Sequence, residues 1–178
     1  MYKLMDIMAP FLEDPQKGFY IREISRILNI SPMTARKKLN ILAKKGLLVK
    51  KKMKLHEEFK VNLDSTDFRI LSKFYIMKKL YDSGLIKYLL EELLYPEAVF
   101  LFGSHARGDY TKDSDIDLFV LSNEKKEINF SKYEKKLKKK IQLHLMTSKE
   151  FLITKKKNPD LINNIINGLR ISGYLEVV

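Results

Sequence analysis

Phe102-Gly103-Ser104-His105-Ala106-Arg107-Gly108, followed by Ser114-Asp115-Ile116-Asp117-Leu118, decides the reading of this 178-residue chain. Into it runs Ala98-Val99-Phe100-Leu101-Phe102, an unbroken apolar run that predicts a strand buried on both faces. Gly103 allows a tight turn and a close approach of backbone to ligand. Ser104 offers a hydroxyl and an N–H at the expected start of a helix, where anions are favoured. Arg107, three residues on, can come round to the same side with a fork of donors for phosphate. Together these residues form a triphosphate cradle, without the longer glycine spacing and the Lys that a P-loop needs. Asp115 and Asp117 stand i, i+2 at the head of a second apolar run, Ile116–Leu121, so both carboxylates project to one face. Like charges so placed repel unless a cation lies between them. Mg²⁺ suits such a pair, because it takes oxygen ligands and is often held by one or two carboxylates plus substrate phosphates. Paired metals can stabilise the attacking and leaving oxygens of a phosphoryl or nucleotidyl transfer. Ser114 is placed to cap the turn before them.

Each piece alone is common; the combination is specific. Over Phe102–Val120 the chain resembles the DNA polymerase beta-like nucleotidyltransferase superfamily, and within it the minimal nucleotidyltransferase branch. The resemblance covers roughly residues 84–178. It implies that Gly103, Ser104 and Arg107 contact a nucleoside triphosphate, ATP first among the candidates. It also implies that Asp115 and Asp117 hold Mg²⁺ or Mn²⁺. Active members of the superfamily carry a third carboxylate on a later strand. The matching run here is Ile141-Gln142-Leu143-His144-Leu145-Met146, whose alternation sends Ile141, Leu143 and Leu145 to the core and Gln142, His144 and Met146 to the other side. Neither Gln142 nor His144 is a carboxylate. His144 best matches the third position, as a general base or as a ligand better suited to Zn²⁺ or Mn²⁺ than to Mg²⁺; a strand histidine without a chemical role is the alternative. Asp109 and Asp113 read as solvated turn residues.

Outward from the signature, Phe130–Lys140 predicts a helix with Tyr133 and Leu137 inward. A last amphipathic helix is expected over Leu161, Ile162, Ile165, Ile166 and Leu169. Strands separated by helices make this half a mixed α/β domain. Upstream, a helix over about Asp67–Asp82 is expected to bury Ile70, Leu71, Phe74, Met77 and Leu80 or Tyr81. It breaks at Ser83-Gly84, and a further helix, Leu85–Leu94, leads to Pro96.

The first third reads differently. Leu4, Ile7, Met8, Phe11 and Leu12 share one helical face. A second helix, Ile21–Leu28, turns Ile24, Ile27 and Leu28 inward. Ser31 is an N-cap and Pro32 a first helical residue for a third helix, about Pro32–Lys45, which buries Ala35, Leu39 and Leu42 and ends at Gly46. Two short helices joined by a tight turn describe a helix-turn-helix. Leu47–Lys50 and Phe59–Val61 predict two strands, with Lys50-Lys51-Lys52-Met53-Lys54 as a basic wing. Ile21–Val61 therefore resembles winged helix-turn-helix domains, which set the second helix in the DNA major groove. By that reading Thr34, Arg36, Lys37 and Asn40 reach base edges, while Lys50, Lys51, Lys52 and Lys54 contact phosphates. A single copy would read few base pairs, so a homodimer is expected. A protein–protein module is the alternative for this half.

Charge supports the DNA reading. The formal net charge is +12, and Arg22–Lys54 holds 11 basic residues against one acid, Glu23. The absence of Cys excludes disulfides and thiolate metal sites. No apolar run approaches a membrane span and no secretory signal opens the chain, so a cytoplasmic protein without a membrane partner is expected. The fold class is two-domain α/β (α+β): residues 1–65 a winged helix-turn-helix, 66–83 a connector helix, and 84–178 a nucleotidyltransferase-like mixed sheet with flanking helices. The expected function is a DNA-binding, transcription-regulating protein with a nucleotide- and metal-binding domain. The alternative is an active transferase, for example moving AMP onto a protein acceptor in an antitoxin-like role.

Overall fold

The structure is a computed structural model that describes residues 4–53 and 56–176. The chain divides into two units. Unit 1 comprises Met1–Ser72 with Tyr110–Lys112; unit 2 comprises Lys73–Asp109 and Asp113–Val178.

In unit 1, α1 (Leu4–Glu13) buries Ile7, Met8, Phe11 and Leu12. β1 (Phe19–Tyr20) leads directly into α2 (Ile21–Ile27). Glu23 closes the start of α2 by accepting the Tyr20 N–H at 2.8 Å. α3 (Pro32–Lys44) begins where expected: the Ser31 hydroxyl accepts the Thr34 N–H at 3.2 Å and Pro32 occupies the first turn. Ala35, Leu39 and Leu42 are buried, as their helical spacing requires. β2 (Leu48–Lys52) and β3 (Glu57–Val61) pair antiparallel, and β1 adds to the free edge of β3, giving the order β1-β3-β2. The two-residue β1 is too short to leave a sequence signal. The Tyr110 hydroxyl, within this unit, donates to the Leu12 carbonyl at 2.6 Å.

Two expectations for α2 and the wing are revised. Ile27 is 54% exposed, and Ser25 takes a buried position instead, donating its hydroxyl to the Ile30 carbonyl at 2.6 Å. This short helix buries a narrow stripe, and the turn that follows is held by a side chain. Lys50, Lys51 and Lys52 lie within β2, not in a loop. Lys54 falls outside the described residues.

The chain continues through α4 (Thr66–Ser83), whose inward stripe differs in part from the expected one. Phe68, Ser72, Ile76 and Leu80 are buried; Leu71 and Met77 are half-buried; Ile70, Phe74 and Tyr81 are exposed. Apolar residues stand on both sides of this helix, so periodicity alone does not select the buried one. Gly84, at φ +83°, ends it.

Unit 2 is built on a four-stranded sheet of order β6-β5-β4-β7. Its strands are β4 (Ala98–Phe102), β5 (Ile116–Leu121), β6 (Ile141–Met146) and β7 (Leu169–Gly173). β5 and β6 run parallel; the other pairs are antiparallel. The parallel pair requires a crossover, which α7 (Ser131–Leu137) supplies by burying Tyr133 and Leu137. One sheet face carries Val99, Leu101, Ile116, Leu118 and Val120 and packs on α5 (Leu85–Glu92) and α7. The other carries Phe100, Phe102, Phe119 and Leu121. It packs on α8 (Ser148–Lys157) through Phe151 and on α9 (Pro159–Ile166) through Ile162 and Ile165. With both faces covered, every residue of β4 is buried.

The last expected helix is shorter than its apolar spacing suggests. α9 stops at Ile166, Ile166 is partly exposed, and Leu169 begins β7. Gly168 makes the break: a Cβ there would lie 2.4 Å from the Leu101 carbonyl oxygen, so only glycine lets the chain pass this close to β4. α8, with a Thr147/Glu150 capping box, leaves little sequence signal because its mean hydropathy is low and its last turn is all Lys.

Candidate functional site

The signature segment places a short helix, α6 (Gly103–Arg107), between β4 and the loop to β5. Gly103 has φ +69°, and a Cβ on it would stand 2.1 Å from Oδ2 of Asp117. The backbone at the strand end thus lies against the second carboxylate, and a side chain at this left-handed position would be strained and would displace that carboxylate. Antiparallel pairing sets Phe102 opposite Asp117. His105 and Ala106 point into the core, leaving Ser104 and Arg107 half-buried and exposed, respectively. Arg107 Nε donates to Asp109 Oδ2 at 3.0 Å, so Asp109, expected to be a solvated turn residue, holds the guanidinium.

Asp115 and Asp117 are both partly buried at the head of β5. Burial is the main cause that lifts the Asp117 carboxyl above the usual carboxylate range. The Asp115 charge adds to it, while His144 and Arg107 oppose it. Parallel register sets Gln142 of β6 directly opposite Asp117, and His144 two residues on, opposite Phe119. His144 packs edge-on against Phe102 with ring centroids 5.1 Å apart. Gln142 Nε2 donates to Asp115 Oδ2 at 2.7 Å. The β6 residue that touches the aspartate pair is therefore Gln142. Alternation puts Gln142 and His144 on one face; only the β5–β6 register distinguishes them. Among the described residues, no three His, Asp or Glu side chains converge as a metal-ligand set.

The proposed DNA-facing residues of unit 1 are distributed as follows. Lys37 and Lys51 are exposed. The Thr34 hydroxyl bonds with that of Ser31 at 2.9 Å. Arg36 and Lys50 both reach Glu57, at 3.5 and 2.6 Å, and Lys50 also donates to Asn40 Oδ1 at 3.4 Å. Glu57 is an acid that sequence reading passes over. Its Lys50 hydrogen bond holds the carboxyl below the usual range, against the effect of burial. β2 pairs Lys52 with Glu57, and this register brings the acid beneath the basic run.

Among curated proteins, none matches the chain. A solved structure of a protein from Sulfolobus solfataricus, provisionally assigned as a nucleotidyltransferase, is 18% identical. It covers 64% of this chain and 98% of its own, with a TM-score of 0.36, too low to carry an argument. The DeoR-like helix-turn-helix domain matches residues 15–52, spanning α2, α3 and all of β2. The nucleotidyltransferase domain matches residues 83–172, from the end of α4 into β7, with the Gly-Ser turn and both aspartates inside it. That match spans just over half of the sequence, and the chain belongs to the nucleotidyltransferase domain family.

Proposed function

We propose that this protein is a DNA-binding, transcription-regulating protein of the cytoplasm whose nucleotidyltransferase-type site binds a nucleoside triphosphate, ATP first, with Mg²⁺ or Mn²⁺. The observation that carries this reading is the aspartate pair with Gln142, not a carboxylate, bonded to it from β6. Two carboxylates suffice to hold a divalent cation when phosphates and water complete its shell. The donor set fits such a cation: both side chains offer oxygens, and a positive charge beside Asp117 would offset the burial and the Asp115 charge that lift its carboxyl. When bound, the cation would neutralise triphosphate charge. Ser104 would offer its hydroxyl and N–H to the phosphates, and Arg107 its terminal guanidinium nitrogens, with Nε already held by Asp109. Duplex DNA would be taken by unit 1, through α3 and the basic β2, and a homodimer would double the sequence read.

The test is calorimetric titration with ATP and Mg²⁺. Binding that Asp117→Asn abolishes supports the reading; no heat at any concentration of either metal refutes the nucleotide site. Affinity for duplex DNA that does not fall with salt refutes the DNA-binding half.

A second reading, transfer of AMP to a protein acceptor in an antitoxin-like role, is favoured by His144. The ring lies on the same sheet face as Asp117 and close enough to influence its ionisation. A neutral imidazole there could take the proton from an acceptor hydroxyl. Labelled ATP with Mn²⁺ and candidate acceptors should then give a labelled product that Asp115→Asn abolishes.

A further inference from the structure

An open groove of about 980 Å³ runs across unit 1 between α2, the start of α3 and the hairpin strands. Its walls hold four cations, Arg22, Arg26, Arg36 and Lys52, and two acids, Glu23 and Glu57. Tyr20 and His56 meet edge-on across it, with ring centroids 6.0 Å apart. The acids are not equivalent. Glu23 is turned to the backbone, accepting the Tyr20 N–H, and lies 4.0 Å from Lys17. Glu57 is turned to the cations and reaches both Arg36 and Lys50. Among the described residues, Arg22 and Arg26 have no ion-pair partner, whereas Arg36 is paired with Glu57 and Lys52, opposite Glu57 in the hairpin, acts on the same carboxylate.

This arrangement bears on how an anion would dock. Arg22 and Arg26 stand one turn apart on α2, and Arg36, in the second turn of α3, lines the same groove. A phosphate backbone laid in the groove meets Arg22 and Arg26 directly. It meets Arg36 only by competing with Glu57, which also holds Lys50 beside the groove, and a phosphate that succeeds leaves a carboxylate next to it. Glu57 is half-buried and its Lys50 hydrogen bond keeps it ionised, so it cannot move aside by taking a proton.

We propose that this groove is the phosphate-contacting face of unit 1 and that Glu57 is its resident counter-ion, surrendering Arg36 and Lys50 to the DNA backbone and thereby weakening and levelling the binding. The proposal rests on the DNA-binding reading given above. It assigns Arg22 and Arg26 of α2 to the interface as well as α3 and the wing, and it gives Glu57 a sign: the acid opposes binding.

The experiment is titration of the full chain into a fluorescently labelled random-sequence duplex at several salt concentrations between about 50 and about 200 mM. Glu57→Gln keeps the shape and the hydrogen-bonding oxygen and removes the charge. It is expected to bind several-fold more tightly than the native chain, with a slope of log affinity against log salt steeper by about one. Equal or weaker affinity with an unchanged melting temperature overturns the proposal, because Glu57 would then serve only to hold the hairpin on α3. Should Glu57→Gln melt early, Arg26→Ala decides. This exposed residue is expected to cost roughly tenfold in affinity and to make the slope shallower by about one, and an unchanged titration overturns the proposal. Failure of the underlying reading looks different: the native chain itself then shows no salt-dependent affinity for the duplex.

Discussion

Gln142 Nε2 donates to Asp115 Oδ2 at 2.7 Å, across the parallel boundary between β6 and β5. An amide in that place neutralises nothing. It occupies one lone pair of a carboxylate that a cation would also want, and it leaves the pair with a charge of two. Gln142→Glu should therefore tighten binding of Mn²⁺ or Mg²⁺ by about tenfold, about 1.4 kcal/mol. Without cation it should lower stability, since a third like charge joins a site where Asp117 is already held above its usual range. Thermal melting with and without Mn²⁺ reads both effects. A variant whose melting temperature does not respond to metal more strongly than the native chain contradicts the assignment.

Gly103 gives a second test. Its φ is +69°, and a Cβ at this position would stand 2.1 Å from Asp117 Oδ2, so Gly103→Ala meets two penalties at once. The left-handed backbone costs about 1–2 kcal/mol for a residue with a Cβ. The clash must also push the Asp117 carboxylate away from its position. We expect a loss of about 2 kcal/mol in chemical denaturation, together with loss of ATP–Mg²⁺ binding in calorimetry. Retention of nucleotide affinity in a folded Gly103→Ala protein would show that the close approach is not used.

Gln142 and Gly103 mark what is legible in the sequence and what is not. The apolar run into Gly103, the Asp-x-Asp spacing and the Ser31-Pro32 start of α3 each carry their own local physics, and the structure keeps them in place. Gln142 is different. Alternation names it and His144 together, and choosing between them needs the register of two strands joined by a crossover, which is a tertiary quantity. Glu57 is hidden for the same reason, since Arg36 stands far from it along the chain and Lys50, on the facing strand of the hairpin, meets it only through the β2–β3 pairing. β1 escapes a sequence reading because two residues carry no pattern, and β7 because Leu169 also fits the helical spacing of the preceding apolar residues, although Leu169 and Ile171 alternate and pack on the core.

The helix α4 turns one such miss into a measurement. Periodicity places Ile70 and Phe74 inside, but Phe74 is 59% exposed while Phe68 is 1% exposed. Phe68→Ala should then cost about 3–5 kcal/mol, the usual loss for emptying a buried aromatic site. Phe74→Ser should stay within about 0.5 kcal/mol. Urea denaturation of the two variants separates them. If Phe74→Ser is the more damaging, the inward stripe of α4 is the one the sequence periodicity suggests.

His105 supplies a pH dependence whose sign follows from its burial. The ring is wholly inaccessible, and burial, reinforced by the Lys139 charge, pushes its pKa down from 6.5 to about 4, against the pull of the Asp115 backbone. In the unfolded chain the imidazole takes its proton near 6.5. As pH falls below that value the unfolded state binds a proton that the folded state refuses, so the equilibrium moves toward unfolding. The stabilisation tied to neutral His105 is thus fully present above about pH 6.5 and is lost progressively down to about pH 4, where the folded protein also takes up the proton. The loss is at most about 3 kcal/mol over that window. Denaturation at about pH 7 and at about pH 4.5 should show most of it. His105→Phe, close in size and unable to titrate, should flatten the curve between these values. A profile that is just as steep in the variant would assign the acid sensitivity to another group.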